Sequence, residues 1–145
     1  MDEAGARAMA QDWVAAWNAR DLERVLGHYA EDVEVCSPRV VERLGRADGW
    51  LRGKAELRAY FAHGMANPAL RFALVDVRLG VNAACVLYDR EGGVRVADTV
   101  EFDDAGRIRR MVACYARGAG QEGYLLMRNG WYRLSEAYKA GFTNG

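Results

Sequence analysis

One acidic residue interrupts the most regular strand pattern in the chain. Over residues 94–102, apolar side chains occupy alternate positions, and Asp98 lies in the middle of that apolar series. Such alternation is typical of a strand with one face in the core. A buried carboxylate must be paired, hydrogen-bonded or kept neutral by a raised pKa, because burying an unpartnered charge is costly. A carboxyl with a raised pKa can transfer protons or donate a hydrogen bond to an anionic intermediate.

A second interpretation places Asp98 on the outer face of the strand. A bulge, or a register shifted by one residue, would turn its side chain to solvent. It would then form an ordinary ion pair with Arg95 or Arg109. The alternation alone leaves both orientations open.

Two histidines are the other candidates for proton transfer. His63 comes two residues after Phe61, near the end of a predicted helix. At a pocket rim it would exchange a proton with Asp98 or with the substrate, and the alternative is a surface position at the helix end. His28 is expected off the apolar stripe of its helix. Because neither histidine has a carboxylate cluster beside it, no metal site is predicted.

The three cysteines show no spacing typical of zinc ligands. Cys36, Cys85 and Cys114 are an odd number, and each lies in or beside an apolar run. We interpret them as reduced, buried thiols, with a redox or nucleophilic role as the alternative.

The elements that must position these residues are three helices followed by antiparallel strands. Apolar periodicity predicts helices near residues 9–17, 22–29 and 54–65. Alternation and turn residues predict strands at 33–37, 70–79, 83–88, 94–102 and 108–115. Residues 39–52 show no clear period and are predicted to form a loop. An ordinary solvated loop is the default interpretation, and the alternative is that its Glu42, Arg43 and Asp48 supply a lid or a replacement base.

This order of elements predicts an α+β fold. Three N-terminal helices would pack on the concave face of a strongly curved, mixed, mostly antiparallel sheet, forming a cone-shaped α+β barrel. The interior of such a cone is a natural ligand pocket. Residues 1–116 would form this domain. Residues 117–145 would form an extension, helical or a hairpin turned at Asn129-Gly130, that docks on the domain or on a dimer partner.

Composition excludes several classes of protein. The 145 residues contain 20 Lys and Arg against 20 Asp and Glu. This balance argues against a nucleic-acid binder, which usually has a strongly basic face. No apolar run approaches the roughly 18 residues of a membrane span, and the acidic N-terminus lacks a signal-peptide core, so a cytoplasmic protein is expected. Phosphate-binding and serine-nucleophile motifs are missing, and no cofactor is predicted.

Three stretches, in order, resemble the ketosteroid isomerase-like and SnoaL-like proteins of the nuclear transport factor 2-like superfamily. They are residues 13–38, with Trp13 to Leu22 at their start, residues 51–58, and residues 98–113. The resemblance spans about residues 8–116. It implies the same cone-shaped fold, commonly a homodimer through the outer face of the sheet.

The resemblance also implies roles for single residues. Asp98 falls where the ketosteroid isomerases carry their protonated aspartate. Ser37 stands in place of their general base, and Trp13 in place of their oxyanion tyrosine. Of the supporting tyrosines, Tyr29 remains and Phe61 replaces the other. A standard ketosteroid isomerase reaction is therefore not predicted.

Two related chemistries can be compared in the same way. The limonene epoxide hydrolases use an arginine and a second aspartate, and this chain has Val96 and Ala113 at those positions. The SnoaL-like cyclases resemble this chain more closely, because they are thought to use one pocket aspartate as the acid–base group. Asp98 offers that single acid.

The sequence thus predicts a small-molecule enzyme that performs an acid–base isomerisation, cyclisation or lyase step. Asp98 and His63 are the predicted catalytic residues, in a roomy apolar cavity for a flat, polycyclic or terpenoid-sized ligand. The predicted substrate-binding residues are aromatic or large and apolar: Trp13, Trp17, Tyr29, Tyr60, Phe61, Tyr88, Met111 and Tyr115. One alternative is a non-catalytic protein that binds hydrophobic ligands, and another is an interaction module that uses the outer sheet face.

Overall fold

Four helices and eight strands make up the part of the chain that the computed structural model describes, residues 1–116, 124–127 and 130–133. The helices are α1 (Glu3–Asn18), α2 (Leu22–Leu26), α3 (Pro38–Leu44) and α4 (Lys54–Met65). The first six strands are β1 (Tyr29–Cys36), β2 (Trp50–Arg52), β3 (Ala73–Gly80), β4 (Ala83–Asp89), β5 (Arg95–Phe102) and β6 (Ile108–Tyr115).

The six strands form one mixed sheet in the order β2-β1-β6-β5-β4-β3. Strands β1 and β6 are parallel, and the other neighbouring pairs are antiparallel. Register shifts occur in β1, in β3 and at the end of β5. Such irregularities bend strands, and the sheet curves strongly around the helices. The predicted α+β cone is confirmed, although the sheet stays open between its edge strands β2 and β3.

Helix α1 supplies much of the interior of the cone. Asp2 caps it by accepting a hydrogen bond from the Gly5 amide, at 2.7 Å. Trp13 and Trp17 are one helical turn apart and both buried, as the predicted apolar stripe requires. They place two indole rings over the inner face of the sheet.

The prediction of a loop at residues 39–52 is wrong, because the segment contains α3 and β2. Ser37 caps α3 by accepting from the Arg39 amide, and Pro38 occupies the first turn. Gly45 ends the helix with a φ of 66°, a conformation that favours glycine. Serine, proline and glycine at these positions are the usual signals of a short helix, so this helix could have been predicted from the sequence.

The boundary between α2 and β1 also differs from the prediction. Tyr29 begins β1 rather than ending α2.

The expectation of three buried thiols is wrong, since Cys36 and Cys85 are half-buried and Cys114 is exposed, all unpaired. Their strands alternate, so the thiols lie on the outer face of the sheet. The homodimer expected through this face stays a prediction.

The C-terminal residues that the structure describes form a hairpin of β7 (Tyr124–Met127) and β8 (Gly130–Arg133). A hairpin was one of the two alternatives for this segment. The rest of the 117–145 extension lies outside the described residues, and its docking stays a prediction. None of the described helices has the length and apolar character needed to cross a membrane.

Candidate active site

Strand β5 places Asp98 in the core of the cone. Its side chain is 2 % exposed, between the inward-facing Val96 and Val100. Asp98 pairs with Val86 of β4 and Ala113 of β6. The register shift of β5 falls after Glu101, so the alternation through Asp98 is intact. The outward orientation considered above is therefore excluded.

The Asp98 carboxyl has one hydrogen-bond partner. Tyr88 donates its hydroxyl to Oδ2, at 3.0 Å, whereas Oδ1 is buried without a partner among the residues that the structure describes. Burial raises the pKa of Asp98 from 3.8 to about 7, against the smaller opposing effects of the Tyr88 hydroxyl and the Arg90 charge. Both protonation states are consequently populated at neutral pH.

Arg90 is a charged residue of the site that the sequence did not reveal. Its side chain is 8 % exposed, pairs with Glu91 and donates to the Tyr115 hydroxyl at 3.0 Å. Its guanidinium lies 5.2 Å from the centre of the Phe72 ring. In the sequence Arg90 precedes a Gly92-Gly93 turn, where an exposed charge is the ordinary expectation.

A second buried hydrogen bond joins Trp13 to Tyr29. The indole Nε1 donates to the Tyr29 hydroxyl at 2.9 Å, and that hydroxyl lies 3.7 Å from the sulfur of Met111. Burial raises the pKa of Tyr29 far above its ordinary value, and the neighbouring Asp98 charge adds to this effect. Tyr29 therefore stays neutral and anchors Trp13 from behind the cavity wall.

The inner cavity, which Asp98 lines, has a volume of about 50 Å³. Aromatic rings occupy much of the cone: the centres of Trp17 and Phe61 are 4.7 Å apart, and those of Phe72 and Tyr88 are 4.8 Å apart. Ligand pockets usually measure hundreds of Å³, so this cavity is not the roomy pocket expected from the tryptophan content.

Most of the predicted site residues do come together. Those that line the inner cavity with Asp98 are Trp13, Trp17, Tyr60, Phe61, Tyr88, Met111 and Tyr115. Ser37 also lines it, with its hydroxyl oxygen accepting from the Arg39 amide as the cap of α3. Arg43, considered above only as part of a loop, lines the cavity as well. Lining residues that sequence reasoning missed include Leu70, Phe72 and Arg90.

The structure does not bring His63 to Asp98. His63 is exposed on α4 and lines a separate outer groove of about 390 Å³. The other residues of this outer groove are Arg43, Leu44, Arg46, Leu51, Glu56, Ala59 and Tyr60. His28 is also remote from the cavity, since its ring bonds Asp12 at 2.7 Å.

The outer groove holds a strongly partnered carboxylate. Glu56 accepts from the Arg46 guanidinium at 2.7 and 3.2 Å and from the Arg52 amide at 2.9 Å. The Arg46 hydrogen bonds, followed by that of the Arg52 amide, lower the pKa of Glu56 from 4.5 to about 2. Over the described residues, the potential metal-binding side chains never gather in a group of three or more.

The fold and this carboxyl define an α+β cone with an acidic side chain buried in its interior. Residues 10–111 match the SnoaL-like domain family. A SnoaL-like protein of unknown function from Burkholderia thailandensis is 32% identical, with a TM-score of 0.77, over 80% of this chain and 98% of that one. The chain therefore belongs to the SnoaL-like family.

More distant structures share the fold. A nuclear transport factor 2-like protein of unknown function from Cytophaga hutchinsonii is 11% identical, with a TM-score of 0.61, over 77% of this chain and 89% of that one. A candidate isomerase of the SnoaL-like family from Agrobacterium tumefaciens is 21% identical, with a TM-score of 0.63, over 79% of this chain and 99% of that one. Among proteins of curated function, none matches this sequence.

Proposed function

We propose that the protein is an acid–base enzyme that moves a proton next to a carbonyl group of a small hydrophobic substrate. The observation that supports this most directly is the Asp98 carboxyl, which is 2 % exposed and lines the inner cavity, with Oδ1 unpartnered. A carboxyl whose pKa is near the working pH serves efficiently both as a base and as an acid.

The proposed step uses one carboxyl in two roles. Oδ1 of ionised Asp98 takes a proton from the carbon beside the carbonyl, which leaves an enolate. The protonated carboxyl then returns this proton to the same carbon or to a different one, so that the second case is an isomerisation. Tyr88 holds Oδ2 at 3.0 Å throughout and so fixes the direction of Oδ1.

The size of the cavity restricts the substrate. A volume of about 50 Å³ admits the reacting end of a molecule, and the aromatic walls favour an apolar one. A polycyclic or terpenoid-sized substrate would place one end beside Asp98 and leave the remainder at the mouth of the cavity. Cyclisation and lyase steps that start from an enolate are compatible with the same site.

The protonation behaviour of Asp98 can be measured without knowing the substrate. In protein with ¹³C-labelled aspartate, the Asp98 carboxyl signal is assigned from its loss in the Asp98→Asn variant. We expect its chemical shift to titrate with a midpoint near 7. A midpoint below about 5, in the ordinary range of aspartate, would contradict the proposal.

Catalysis can be tested with a small ketone. We expect the protein to accelerate exchange of the α-hydrogens of cyclohexanone in D₂O, as followed by NMR, and we expect Asp98→Asn to slow this exchange at least about 100-fold. Asp103→Asn is the matched control, because Asp103 caps a surface turn by accepting from the Ala105 and Arg107 amides. Equal exchange by wild type and Asp98→Asn would exclude Asp98 as the base.

A non-catalytic ligand-binding protein is the second candidate. It is favoured by the fact that Asp98 is the one carboxylate among the described residues that line the inner cavity. This alternative predicts that cyclohexanone stabilises the protein against heat but undergoes no accelerated exchange. Exchange and binding measured on the same samples therefore separate the two functions.

A further inference from the structure

The inner cavity and the outer groove meet at two shared residues. Arg43 of α3 and Tyr60 of α4 line both spaces. The guanidinium carbon of Arg43 lies 5.6 Å from the centre of the Tyr60 ring, within the range of a cation–π contact. A ligand that occupies the groove and extends towards Asp98 must therefore pass this pair.

Arg43 differs from the other arginines around the mouth in its charge partners. Arg39 lies 3.7 Å from Glu42, Arg46 lies 2.7 Å from Glu56, and Arg90 lies 3.0 Å from Glu91. Arg43 is half-buried, and no carboxylate of residues 1–116 forms a salt bridge with it. A partly desolvated guanidinium without a counterion favours the binding of an anion, and its planar shape suits a carboxylate.

The guanidinium of Arg43 lies beside Gly64 of α4, at the wall that Trp17 forms. A Cβ at position 64 would lie 3.4 Å from Arg43 Nη1 and 3.8 Å from the Trp17 ring, which are ordinary van der Waals contacts. Arg43 Nη1 and the Trp17 ring therefore approach the same point of α4. The positive charge thus lies at the junction of the two spaces rather than in open solvent.

The inner cavity also contains two buried polar atoms that make no hydrogen bond to the described residues. Trp17 Nε1 and Asp98 Oδ1 are buried, and neither has a hydrogen-bond partner within the described part of the chain. Both residues line the inner cavity. Buried polar groups are usually hydrogen-bonded, so a ligand with a polar group at its inner end would satisfy what the protein leaves open.

We propose that Arg43 is a specificity-determining residue and that the substrate is an oxo carboxylic acid. Its carboxylate pairs with Arg43 at the junction, and its carbonyl end enters the inner cavity beside Asp98. The position of the carbonyl rests on the proposed function, whereas the pairing with Arg43 does not. The proposal concerns binding and adds no chemical step.

A pair of probes that differ in charge tests this proposal. They are 4-oxocyclohexanecarboxylate and its methyl ester, and their binding is followed at constant ionic strength by intrinsic tryptophan fluorescence, to which the cavity residues Trp13 and Trp17 contribute. We expect wild type to bind the acid at least about tenfold more tightly than the ester, because a charge-assisted hydrogen bond to a partly buried guanidinium is lost in the ester.

The variants identify the residue responsible. Arg43→Gln should bring acid and ester to within about twofold of each other, with ester binding unchanged, and Arg43→Lys should keep part of the preference. Arg39→Gln is the matched control, because it removes an arginine one turn earlier on α3 that is already paired with Glu42. It should retain the preference of wild type.

The outcomes separate this proposal from the proposed function. Failure of both probes to bind, equal binding of acid and ester, or a preference that survives in Arg43→Gln would each overturn the role of Arg43. Binding of the acid through Arg43 without α-hydrogen exchange would support the anion site and contradict the enzyme. If both probes bind with equal affinity and exchange their α-hydrogens at equal rates, the result would support the enzyme and contradict the anion site.

Discussion

Two carboxylates in neighbouring regions of the molecule have opposite properties. Asp98, in the inner cavity, has a single phenol donor, and burial raises its pKa to about 7. Glu56, in the outer groove, accepts from one guanidinium and one backbone amide, and these bonds lower its pKa to about 2.

The difference shows what makes a carboxyl useful for proton transfer. Hydrogen-bond donors stabilise the ionised form of Glu56, so this side chain stays ionised and has a structural role. Asp98 lacks enough donors to offset its burial, so its two forms are close in free energy. Among the described residues that line the cavity, Asp98 is the one carboxyl that is buried without enough hydrogen-bond donors. Carboxyl groups with a pKa raised in this way are typical of functional sites.

The largest expected effect concerns the pH dependence of stability. Asp98 has a pKa of about 7 in the folded state against 3.8 ordinarily, so its contribution is fully present below pH 3.8 and is lost as the pH rises through 7. At about 1.4 kcal/mol per pH unit, this loss is about 4 kcal/mol. Asp98→Asn removes the titrating group, so the variant should gain this amount relative to wild type between pH 4 and pH 8.

Urea denaturation of both proteins at pH 4, 6 and 8 measures this difference. All other titrating groups are common to the two proteins and largely cancel. A difference in unfolding free energy that does not change with pH would mean that Asp98 titrates normally, and the contrast with Glu56 would disappear.

A smaller effect is expected when Asp98 loses its phenol donor. Tyr88→Phe removes the hydrogen bond to Oδ2, which favours the ionised form, and should therefore raise the pKa of Asp98 further above its ordinary value. The ¹³C titration described above measures this change. Tyr60→Phe is the control, because Tyr60 lines the same cavity without bonding Asp98. An unchanged or lower midpoint in Tyr88→Phe would contradict the assignment.

Glu56 gives the opposite pH dependence and a weaker effect. Its pKa is about 2 when folded and 4.5 ordinarily, so its stabilising contribution is present above pH 4.5 and lost as the pH falls through 2. Glu56→Gln should therefore destabilise the protein at pH 7 by less than about 1 kcal/mol, because exposed ion pairs are screened by solvent. Thermal unfolding at pH 7 and pH 3 should show the difference shrinking with acid, and a constant difference would refute this.

The smallest effect is expected for His63. It is exposed and lines the outer groove, so His63→Gln should leave the cyclohexanone exchange rate within about twofold of wild type. A loss comparable to that of Asp98→Asn would mean that α4 moves His63 into the cavity during the reaction. The distinction between cavity and groove would then have to be redrawn.

Local patterns singled out Asp98 because it interrupts the apolar alternation of a single strand. The alternation left both orientations of its side chain open, and the family resemblance added that Asp98 stands where the ketosteroid isomerases carry a protonated aspartate. The short-range period of α1 predicted that Trp13 and Trp17 face inwards. The helix α3 was missed for a different reason. Pro38 was interpreted as the end of a strand, although Ser37, Pro38 and Gly45 together are the signals of a seven-residue helix.

Contacts between distant segments could not be predicted in this way. Arg43 reaches the cavity because its guanidinium lies beside Gly64 and Tyr60 of α4, and Arg90 does so because β4 ends beside Phe72 and Tyr115. The small cavity volume depends on how Trp17, Phe61, Phe72 and Tyr88 tilt against each other. Composition reports how many aromatic rings a chain has and not how closely they pack.

The parallel pairing of β1 with β6 has a consequence for the order in which the protein folds. Val35 of β1 pairs with Met111 of β6. Strand β1 is synthesised early, and this pairing can form only after β6, the last strand of the six-stranded sheet, has been synthesised. Until β6 leaves the ribosome, β1 has only the three residues of β2 as a neighbour. Pairing across so many residues slows folding, because a long loop must close before the contact forms. The nascent chain should therefore acquire its protected core late, when Met111 closes the cone beneath Tyr29.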